Sequence, residues 1–148
     1  MAARTALILC VDDYENILIG WKMLLEQEGY TVIIATDWAK ALQLFATHKV
    51  DEVILDYQMP GMSGDSIALH MKRLKPEVPI LLLSGDRSLA ADKLTSIDDF
   101  LFKTDSVPDF LSKVRELLNR SRPTLEKPTG TGQKASKGRR APEPASAA

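Results

Sequence analysis

Five short apolar runs constrain the fold of this chain more than any other feature of its sequence. They occupy residues 6–11, 31–35, 52–55, 79–83 and 99–102. Each run is continuous rather than alternating, which is typical of strands that are buried on both faces. Strands of this kind belong to parallel sheets that helices cover on each side. The pattern therefore predicts a single α/β domain in which strands and helices alternate.

Apolar side chains recur at helical spacing between these runs. The sets are Ile17, Trp21, Leu24 and Leu25; Trp38, Ala41, Leu42 and Phe45; Ile67, His70, Met71 and Leu74; and Val107, Phe110, Leu111, Val114, Leu117 and Leu118. Gly29 predicts the end of the first helix. Asp105 and Ser106 predict the start of the last one, with Pro108 in its first turn. Residues 88–95 predict a further helix of only about two turns.

Right-handed crossovers arrange these elements as a doubly wound sandwich. The fold class predicted is therefore α/β, with a doubly wound five-stranded parallel sheet and helices on both faces. We expect the strand order 2-1-3-4-5, which is that of flavodoxin-like proteins. In this order strand 2 lies at an outer edge, and the carboxyl ends of the other four strands border one crevice.

Two adjacent carboxylates, Asp12 and Asp13, directly follow the first run in the stretch "ILCVDDYEN". Like charges at the edge of a core repel each other and lose solvation, so this placement costs free energy unless a cation or hydrogen-bond donors lie between them. Neutralising one acid, by Asp12→Asn or Asp13→Asn, is therefore expected to raise thermal stability in metal-free buffer. An isolated acid pair also suits a helix N-terminus, where it interacts favourably with the helix dipole.

Further polar groups stand at the ends of the other central strands. Asp56 ends the third run, Ser84 follows the fourth and Lys103 follows the fifth. Ligands bind at the carboxyl ends of strands in open parallel sheets, so we expect these groups to converge. Carboxylate oxygens are ligands that Mg²⁺ prefers. One carboxylate, Asp56, is suited to attack a phosphoryl group whose oxygens a hydroxyl and an ammonium would bind.

Motifs at these positions resemble those of receiver domains from two-component response regulators. They are "VDD" at 11–13, "LDYQMPGMSG" at 55–64, "LLSG" at 82–85 and "DDFLFK" at 98–103. The resemblance extends over nearly all of residues 5–120. Singly each motif is weak, but an acid pair, a D-x-x-M-P-G-x-x-G segment, a serine and a lysine on successive strand ends are specific together.

The resemblance implies a signalling switch rather than an enzyme with a separate substrate. Asp56 would accept a phosphoryl group from a sensor histidine kinase or a histidine phosphotransfer protein. The cofactor would be Mg²⁺, held by Asp13 and Asp56 directly, by Asp12 mostly through water and by the backbone carbonyl of Gln58. The same site would then hydrolyse its own phosphate, at a rate that Gln58 and Asp86 tune.

The resemblance also assigns the switching residues. Ser84 corresponds to the hydroxyl that is drawn toward the phosphate, Lys103 to the lysine that binds the phosphate, and Phe100 to the aromatic switch position. In such domains these changes alter the partner affinity of the face formed by the fourth helix, the fifth strand and the last helix. This chain departs from the family pattern at Thr104, where proline is common, and in the short distance from Ser84 to Lys103.

Other interpretations remain open from the residues alone. Taken singly, Asp56 is a turn acid, Ser84 a loop residue, Lys103 a surface charge and Phe100 a core residue. The main alternative function is a degenerate receiver that binds proteins without being phosphorylated. A phosphatase with an aspartate nucleophile ranks last, because a second acid is expected two residues after the nucleophile and Gln58 stands there. The histidines lack a second ligand at zinc spacing, and the cysteine reads as a buried side chain; these residues are His48, His70 and Cys10.

Charge is distributed unevenly along the chain. Residues 1–119 carry 12 basic and 18 acidic side chains, whereas residues 120–148 carry 7 and 2. The latter segment is rich in Pro, Gly, Ala, Ser and Lys and holds too few large apolar side chains to offset the entropy of ordering it. We predict a receiver domain at 1–120 and a disordered basic tail at 121–148, for which a solvated linker is favoured over nucleic-acid or membrane contact.

The predicted tail contains no DNA-binding or catalytic output domain. Signalling is therefore expected to occur through contact with a downstream protein target. No apolar stretch approaches the length of a membrane span, and the start of the chain lacks a small-residue cleavage site. The expected location is cytoplasmic.

Overall fold

The structure is a computed structural model that describes residues 5–86 and 96–121. Its strands are β1 (Leu7–Val11), β2 (Thr31–Ala35), β3 (Glu52–Asp56), β4 (Ile80–Ser84) and β5 (Asp99–Phe102), and its helices are α1 (Glu15–Gln27), α2 (Trp38–Thr47), α3 (Gly64–Leu74) and α4 (Val107–Ser121). The strands begin and end within one residue of the predicted runs. The predicted helix at 88–95 and the tail at 122–148 lie outside the described residues.

The strands form one sheet in the order β2-β1-β3-β4-β5, and every neighbouring pair is parallel. This confirms the predicted fold class and strand order. Every residue of β3 and β4 is buried, whereas the edge strands β2 and β5 are only partly buried. Continuous apolar runs in the middle of the sheet are thus explained by helices that cover both of its faces.

Two apolar clusters, one on each face of the sheet, form the core. Alternation along β1 sends Leu9 and Val11 into the first cluster and Ile8 and Cys10 into the second. The first cluster packs against α2 and α3, with Phe45 and Met71 among its members; the second packs against α1 and α4, with Leu18 and Val114. Helices therefore lie on both faces, as predicted, and Cys10 is a fully buried thiol.

The helix termini follow the predicted capping residues. Gly29, with φ of +94°, ends α1. Its N–H donates to the Glu26 carbonyl at 3.0 Å, and the Tyr30 N–H donates to the Leu25 carbonyl at 3.2 Å, as expected when a glycine adopts the left-handed conformation after a helix. At the start of α4, the Ser106 Oγ accepts from the Asp109 N–H at 3.2 Å.

The predicted apolar stripe of α3 is wrong at two positions. His70 and Leu74 are exposed, and Leu74 retains 57% of its accessible surface. Ile67 and Met71 are buried as predicted, and Ala68 joins them. The helix therefore faces the sheet with a strip that differs from the one the periodicity indicates, made of Gly64, Ile67, Ala68 and Met71. In the described part of the chain, no helix is both long and apolar enough to cross a membrane.

Candidate functional site

Three carboxylates meet at the carboxyl edge of the sheet. Asp12 and Asp13 directly follow β1, and Asp56 is the last residue of the neighbouring strand β3. Each residue offers one carboxylate oxygen, and these oxygens all lie within 4.8 Å of one another. The carboxylates of these three residues therefore lie close together, as predicted from the strand ends. We call Asp12, Asp13 and Asp56 the acidic cluster.

The Lys103 ammonium bridges two members of the acidic cluster. Its Nζ lies 2.8 Å from Oδ2 of Asp12 and 3.0 Å from Oδ1 of Asp56. The end of β5 holds it there, since the Lys103 N–H donates to the Ser84 carbonyl at 2.8 Å. The Asp12 side chain is fully buried and also accepts from the Tyr14 N–H at 2.9 Å. A cation and a backbone donor thus offset much of the repulsion expected from the sequence.

The electrostatics of the site separate Asp56 from an ordinary aspartate. Burial raises the pKa of the Asp56 carboxyl to about 6, although the Lys103 hydrogen bond acts in the opposite direction. Burial of the Lys103 ammonium acts to lower its pKa, but hydrogen bonds to Asp12 and Asp56 outweigh that effect and raise it. At neutral pH the site therefore combines an ionised carboxylate with a firmly protonated lysine.

Asp13 contributes a buried carboxylate oxygen for which the described part of the chain provides no donor. Its Oδ1 is buried and has no hydrogen-bond partner among the described residues. A buried carboxylate oxygen without a donor is costly, and a bound cation is a common way of satisfying it. Three hard oxygen donors, one of them unpartnered, fit an ion such as Mg²⁺, which binds proteins through a few carboxylates and keeps several waters.

We expect Asp13→Asn to stabilise the protein in metal-free buffer and to weaken Mg²⁺ binding. The substitution removes the charge on the unpartnered oxygen, for a gain of about 1 kcal/mol in the free energy of unfolding and a loss of about tenfold in Mg²⁺ affinity. Denaturant unfolding with a chelator and calorimetric Mg²⁺ titration measure the two effects.

Asp12→Asn is the matched control for this prediction. It removes a carboxylate that already pairs with Lys103 at 2.8 Å, so no gain in stability is expected. The structure therefore separates two acids that the sequence treats alike. Equal stabilisation by both substitutions would contradict the assigned role of Lys103.

A cleft of about 690 Å³ opens over the acidic cluster. The residues that line it are Asp13, Tyr14, Asp56, Tyr57, Gln58, Met59, Pro60, Gly61, Met62, Ser63, Gly85 and Lys103. Most of one wall is the loop 57–63, which joins β3 to α3. Gln58, whose backbone carbonyl is predicted to bind Mg²⁺, lies on this loop and is exposed. It lines the cleft together with Asp13 and Asp56. The cleft is large enough to admit a phosphoryl group together with the side chain that carries it.

The other predicted site residues lie beside the cleft rather than in its wall. Ser84 is fully buried, and its Oγ accepts from the Asp86 N–H at 2.9 Å. Asp86 itself is exposed at the end of β4. Phe100 is half-buried, packs edge-on against Phe102 with 5.0 Å between ring centroids, and borders the core cluster under α2 and α3. The structure therefore pairs Lys103 with Asp12 and Asp56 and places Asp13 close beside them, with Ser84 and Phe100 on the adjoining strands.

Two residues that shape the cleft were not singled out from the sequence. A Cβ on Gly64, the first residue of α3, would lie 2.6 Å from the Asp56 carbonyl oxygen, so only glycine fits there. Trp38, the first residue of α2, borders the turn at Gly61. The glycine was visible only as the last letter of the D-x-x-M-P-G-x-x-G motif, and the tryptophan resembled an ordinary core residue.

Comparison with known proteins decides the family. The profile of the response regulator receiver domain matches residues 8–115. The chain belongs to the response-regulator receiver family. Receiver domains are the signalling switches of two-component systems, as the sequence motifs predicted.

Relatives of this receiver include longer response regulators. It is 29% identical to the response regulator MprA of Mycobacterium leprae over 120 residues, which cover 78% of this chain and 52% of that protein. It is 33% identical to the alkaline phosphatase synthesis transcriptional regulatory protein PhoP of Bacillus subtilis over 118 residues, which cover 77% of this chain and 49% of PhoP. The chain thus spans about half the length of these curated relatives.

Solved receiver structures superimpose on nearly their whole length. A CheY-like response regulator receiver domain protein from Methanospirillum hungatei has a TM-score of 0.77 and 27% identity, covering 82% of this chain and 99% of its own. The response regulator protein TrrA from Thermotoga maritima, in complex with Mg(2+)-BeF, has a TM-score of 0.72 and 32% identity, covering 76% of this chain and 99% of its own. The receiver fold therefore accounts for the described part of this chain.

Proposed function

We propose that this receiver accepts a phosphoryl group on Asp56 from a phosphohistidine donor in a Mg²⁺-dependent reaction. The observation that carries the proposal is the position of Asp56, which lines an open cleft with its carboxylate 3.0 Å from the Lys103 ammonium and beside two further acids. The donor would be a sensor histidine kinase or a histidine phosphotransfer protein. A donor histidine needs only to reach the cleft, because the nucleophile and the charge-balancing groups already converge there.

The reaction is a phosphoryl transfer between two protein side chains. A carboxylate oxygen of Asp56 forms a bond to phosphorus while the P–N bond to the donor imidazole breaks, and the imidazole leaves with that electron pair and takes up a proton. The raised pKa of Asp56, about 6, makes its carboxylate a stronger base than an exposed aspartate while it stays ionised at neutral pH. Asp56 therefore combines accessibility from the cleft with enhanced nucleophilicity.

The surrounding residues hold the charge that the transferred group brings. Asp12, Asp13, Asp56 and the Gln58 carbonyl would hold Mg²⁺, which supplies electrostatic stabilisation of the phosphoryl oxygens when it is bound. Lys103, already beside the Asp56 carboxylate, would turn its ammonium toward the new phosphoryl oxygens.

We assign the readout of phosphorylation to the two adjoining strands. Ser84 ends β4 next to β3, and its hydroxyl donates to the Asp86 carbonyl at the long distance of 3.4 Å, so new phosphoryl oxygens at Asp56 would compete for that proton. Phe100 is only half-buried and has room to change its packing against the core. The altered surface would bind a downstream protein target. Gln58, which lines the cleft, and Asp86, which lies beside it, are both exposed and would tune hydrolysis of the acyl phosphate.

Treatment with phosphoramidate, a small P–N phosphoryl donor, and Mg²⁺ tests the proposal. The intact protein is expected to gain the mass of one phosphoryl group, and Asp56→Asn is expected to gain none, because the amide is not a nucleophile of comparable strength. Omitting Mg²⁺ or adding a chelator should slow the gain by at least about tenfold. Mass spectrometry at short reaction times measures both effects.

Asp51→Asn provides a matched control for this experiment. Asp51 is equally buried and precedes β3 at the opposite end of the sheet, where its carboxylate accepts from the Leu7 N–H at 2.8 Å. Its phosphorylation should equal that of the unmodified chain. A folded wild-type protein that binds Mg²⁺ yet gains no mass would instead support a degenerate receiver that acts as a protein-interaction module.

A further inference from the structure

The two tryptophans of this chain lie on opposite faces of the sheet. Trp21 on α1 stacks on Phe110 of α4, with 6.2 Å between ring centroids. Trp38 borders the other core cluster and is the first residue of α2. The start of that helix is fixed by Asp37, whose Oδ1 accepts from the Lys40 N–H at 2.7 Å. Trp38 is therefore carried by a well-anchored backbone at the same edge of the sheet as the acidic cluster.

The indole of Trp38 lies against the turn at Gly61. A Cβ atom on Gly61 would lie 3.1 Å from the indole Nε1 and 3.6 Å from Cδ1. Gly61 has φ of +86°, so the turn adopts a conformation that favours glycine. The pyrrole edge of the indole therefore lies against the loop backbone at Gly61, where no side chain stands between them.

The loop 57–63 depends on packing between its two ends. Its backbone is tied at Tyr57, whose N–H donates to the Leu83 carbonyl at 2.9 Å and whose carbonyl accepts from the Gly64 N–H at 2.6 Å, and at Gln58, whose N–H donates to the Asp56 carboxylate. Between these points Met59 is buried in the core cluster that Trp38 borders. A loop held by packing moves when the packing residue is removed.

We infer that Trp38 is a positioning residue for the phosphoryl-transfer site. Its indole edge holds the turn at Gly61, and with it the backbone of the loop, in the shape that brings the Gln58 carbonyl to the acidic cluster. This inference rests on the proposed function, because the Gln58 carbonyl acts as a ligand only when Mg²⁺ binds. Trp38 is not among the residues that line the cleft, and it would act only through the loop.

Mg²⁺ titration by calorimetry tests the inference directly. Trp38→Ala is expected to weaken Mg²⁺ binding about tenfold, the usual size of the effect when a residue that orients a metal ligand is removed. Trp21→Ala is the matched control, since it also deletes a half-buried indole but from the opposite face of the sheet. Its Mg²⁺ affinity should stay within about twofold of the wild-type value, even if its unfolding midpoint falls as far as that of Trp38→Ala.

Hydrogen exchange supplies a readout that does not depend on the metal. In Trp38→Ala the amides of residues 58, 59 and 61–63 should exchange about tenfold faster than in the wild type, whereas in Trp21→Ala they should not change. Gly61→Ala adds a second variant, whose methyl group presses on the indole and also strains the turn because φ is +86°. The strain acts in both backgrounds, so only the part of its effect on Mg²⁺ binding that disappears in the Trp38→Ala background reports the contact with the indole.

The outcomes separate this inference from the proposed function. Faster loop exchange together with weaker Mg²⁺ binding in Trp38→Ala alone supports the positioning role. Unchanged Mg²⁺ affinity in Trp38→Ala, with or without faster exchange, overturns it while leaving the proposed function intact. A folded wild-type chain that does not bind Mg²⁺ at millimolar concentration overturns both.

Discussion

Gly64→Ala is expected to destabilise the protein by about 2–4 kcal/mol and to weaken Mg²⁺ binding at the same time. The added methyl group would lie 2.6 Å from the Asp56 carbonyl oxygen, 2.7 Å from the Tyr57 Cα and 2.9 Å from the Leu82 Cδ1. Two of these atoms belong to the backbone and cannot rotate away. The end of β3 must therefore move, and the Asp56 carboxylate moves with it.

Gly20→Ala is the matched control for that effect. Gly20 lies inside α1, and a Cβ there would meet nothing within 4 Å. The alanine is expected to stabilise the helix by about 0.5–1 kcal/mol and to leave Mg²⁺ binding unchanged. Denaturant unfolding followed by circular dichroism and calorimetric titration cover both variants. If Gly64→Ala behaved like Gly20→Ala, the close approach of α3 to β3 would be disproved.

Glu52→Met is expected to stabilise the protein, and to do so more strongly at high pH. Glu52 begins β3 at the edge of the sheet remote from the acidic cluster, and its side chain is fully buried. Neither carboxylate oxygen has a hydrogen-bond partner among the described residues. Alternation along β3 places Glu52 on the face of Ile54, in the core cluster under α1 and α4. Methionine has a similar size and no polar atoms to satisfy.

The pH dependence follows from the direction of the pKa shift. Burial, and to a lesser degree the charge of Asp98, raises the pKa of Glu52 well above its ordinary value of 4.5. As pH rises above 4.5, the unfolded chain loses this proton first, so the folded state loses stability until its own, raised pKa is passed. The contribution of Glu52 is therefore fully present only below pH 4.5. The methionine variant escapes this loss.

The expected gain for Glu52→Met is about 2 kcal/mol or more at pH 8 and clearly smaller at pH 4, where the neutral carboxyl no longer carries the cost of a buried charge. The measurement is the difference in free energy of unfolding between variant and wild type at each pH, which cancels the titration of the acidic cluster. Glu77→Met, at an exposed position, should change stability by less than about 0.5 kcal/mol at either pH. A gain that is the same at both pH values would show that Glu52 is already paired or already ionised in the folded state.

Sequence periodicity was sufficient for the architecture. Continuous apolar runs predicted the strands, and the residues that follow them, Asp12, Asp13, Asp56, Ser84 and Lys103, predicted which polar groups stand at the carboxyl edge of the sheet. This succeeds because strand burial is a local property of the side chains and because parallel strands all end at one edge of the sheet. The same reasoning was wrong at His70 and Leu74, where periodicity marks which side chains share a helix face but not how wide a strip the sheet covers.

Only the tertiary structure decided which groups touch. Lys103 pairs with Asp12, which lies 91 positions earlier in the sequence, and neither motif shows that the two side chains are close in space. The Glu52 carboxyl, which has no partner within residues 5–86 and 96–121, the close approach at Gly64 and the contact of Trp38 with Gly61 likewise arise where separately encoded elements pack together. The amino-acid sequence by itself determined which segments form buried strands and which polar groups stand at their ends. Their distances, and so their charges and pKa values, depend on packing across the sheet, because electrostatic interaction and steric exclusion act through space rather than along the chain.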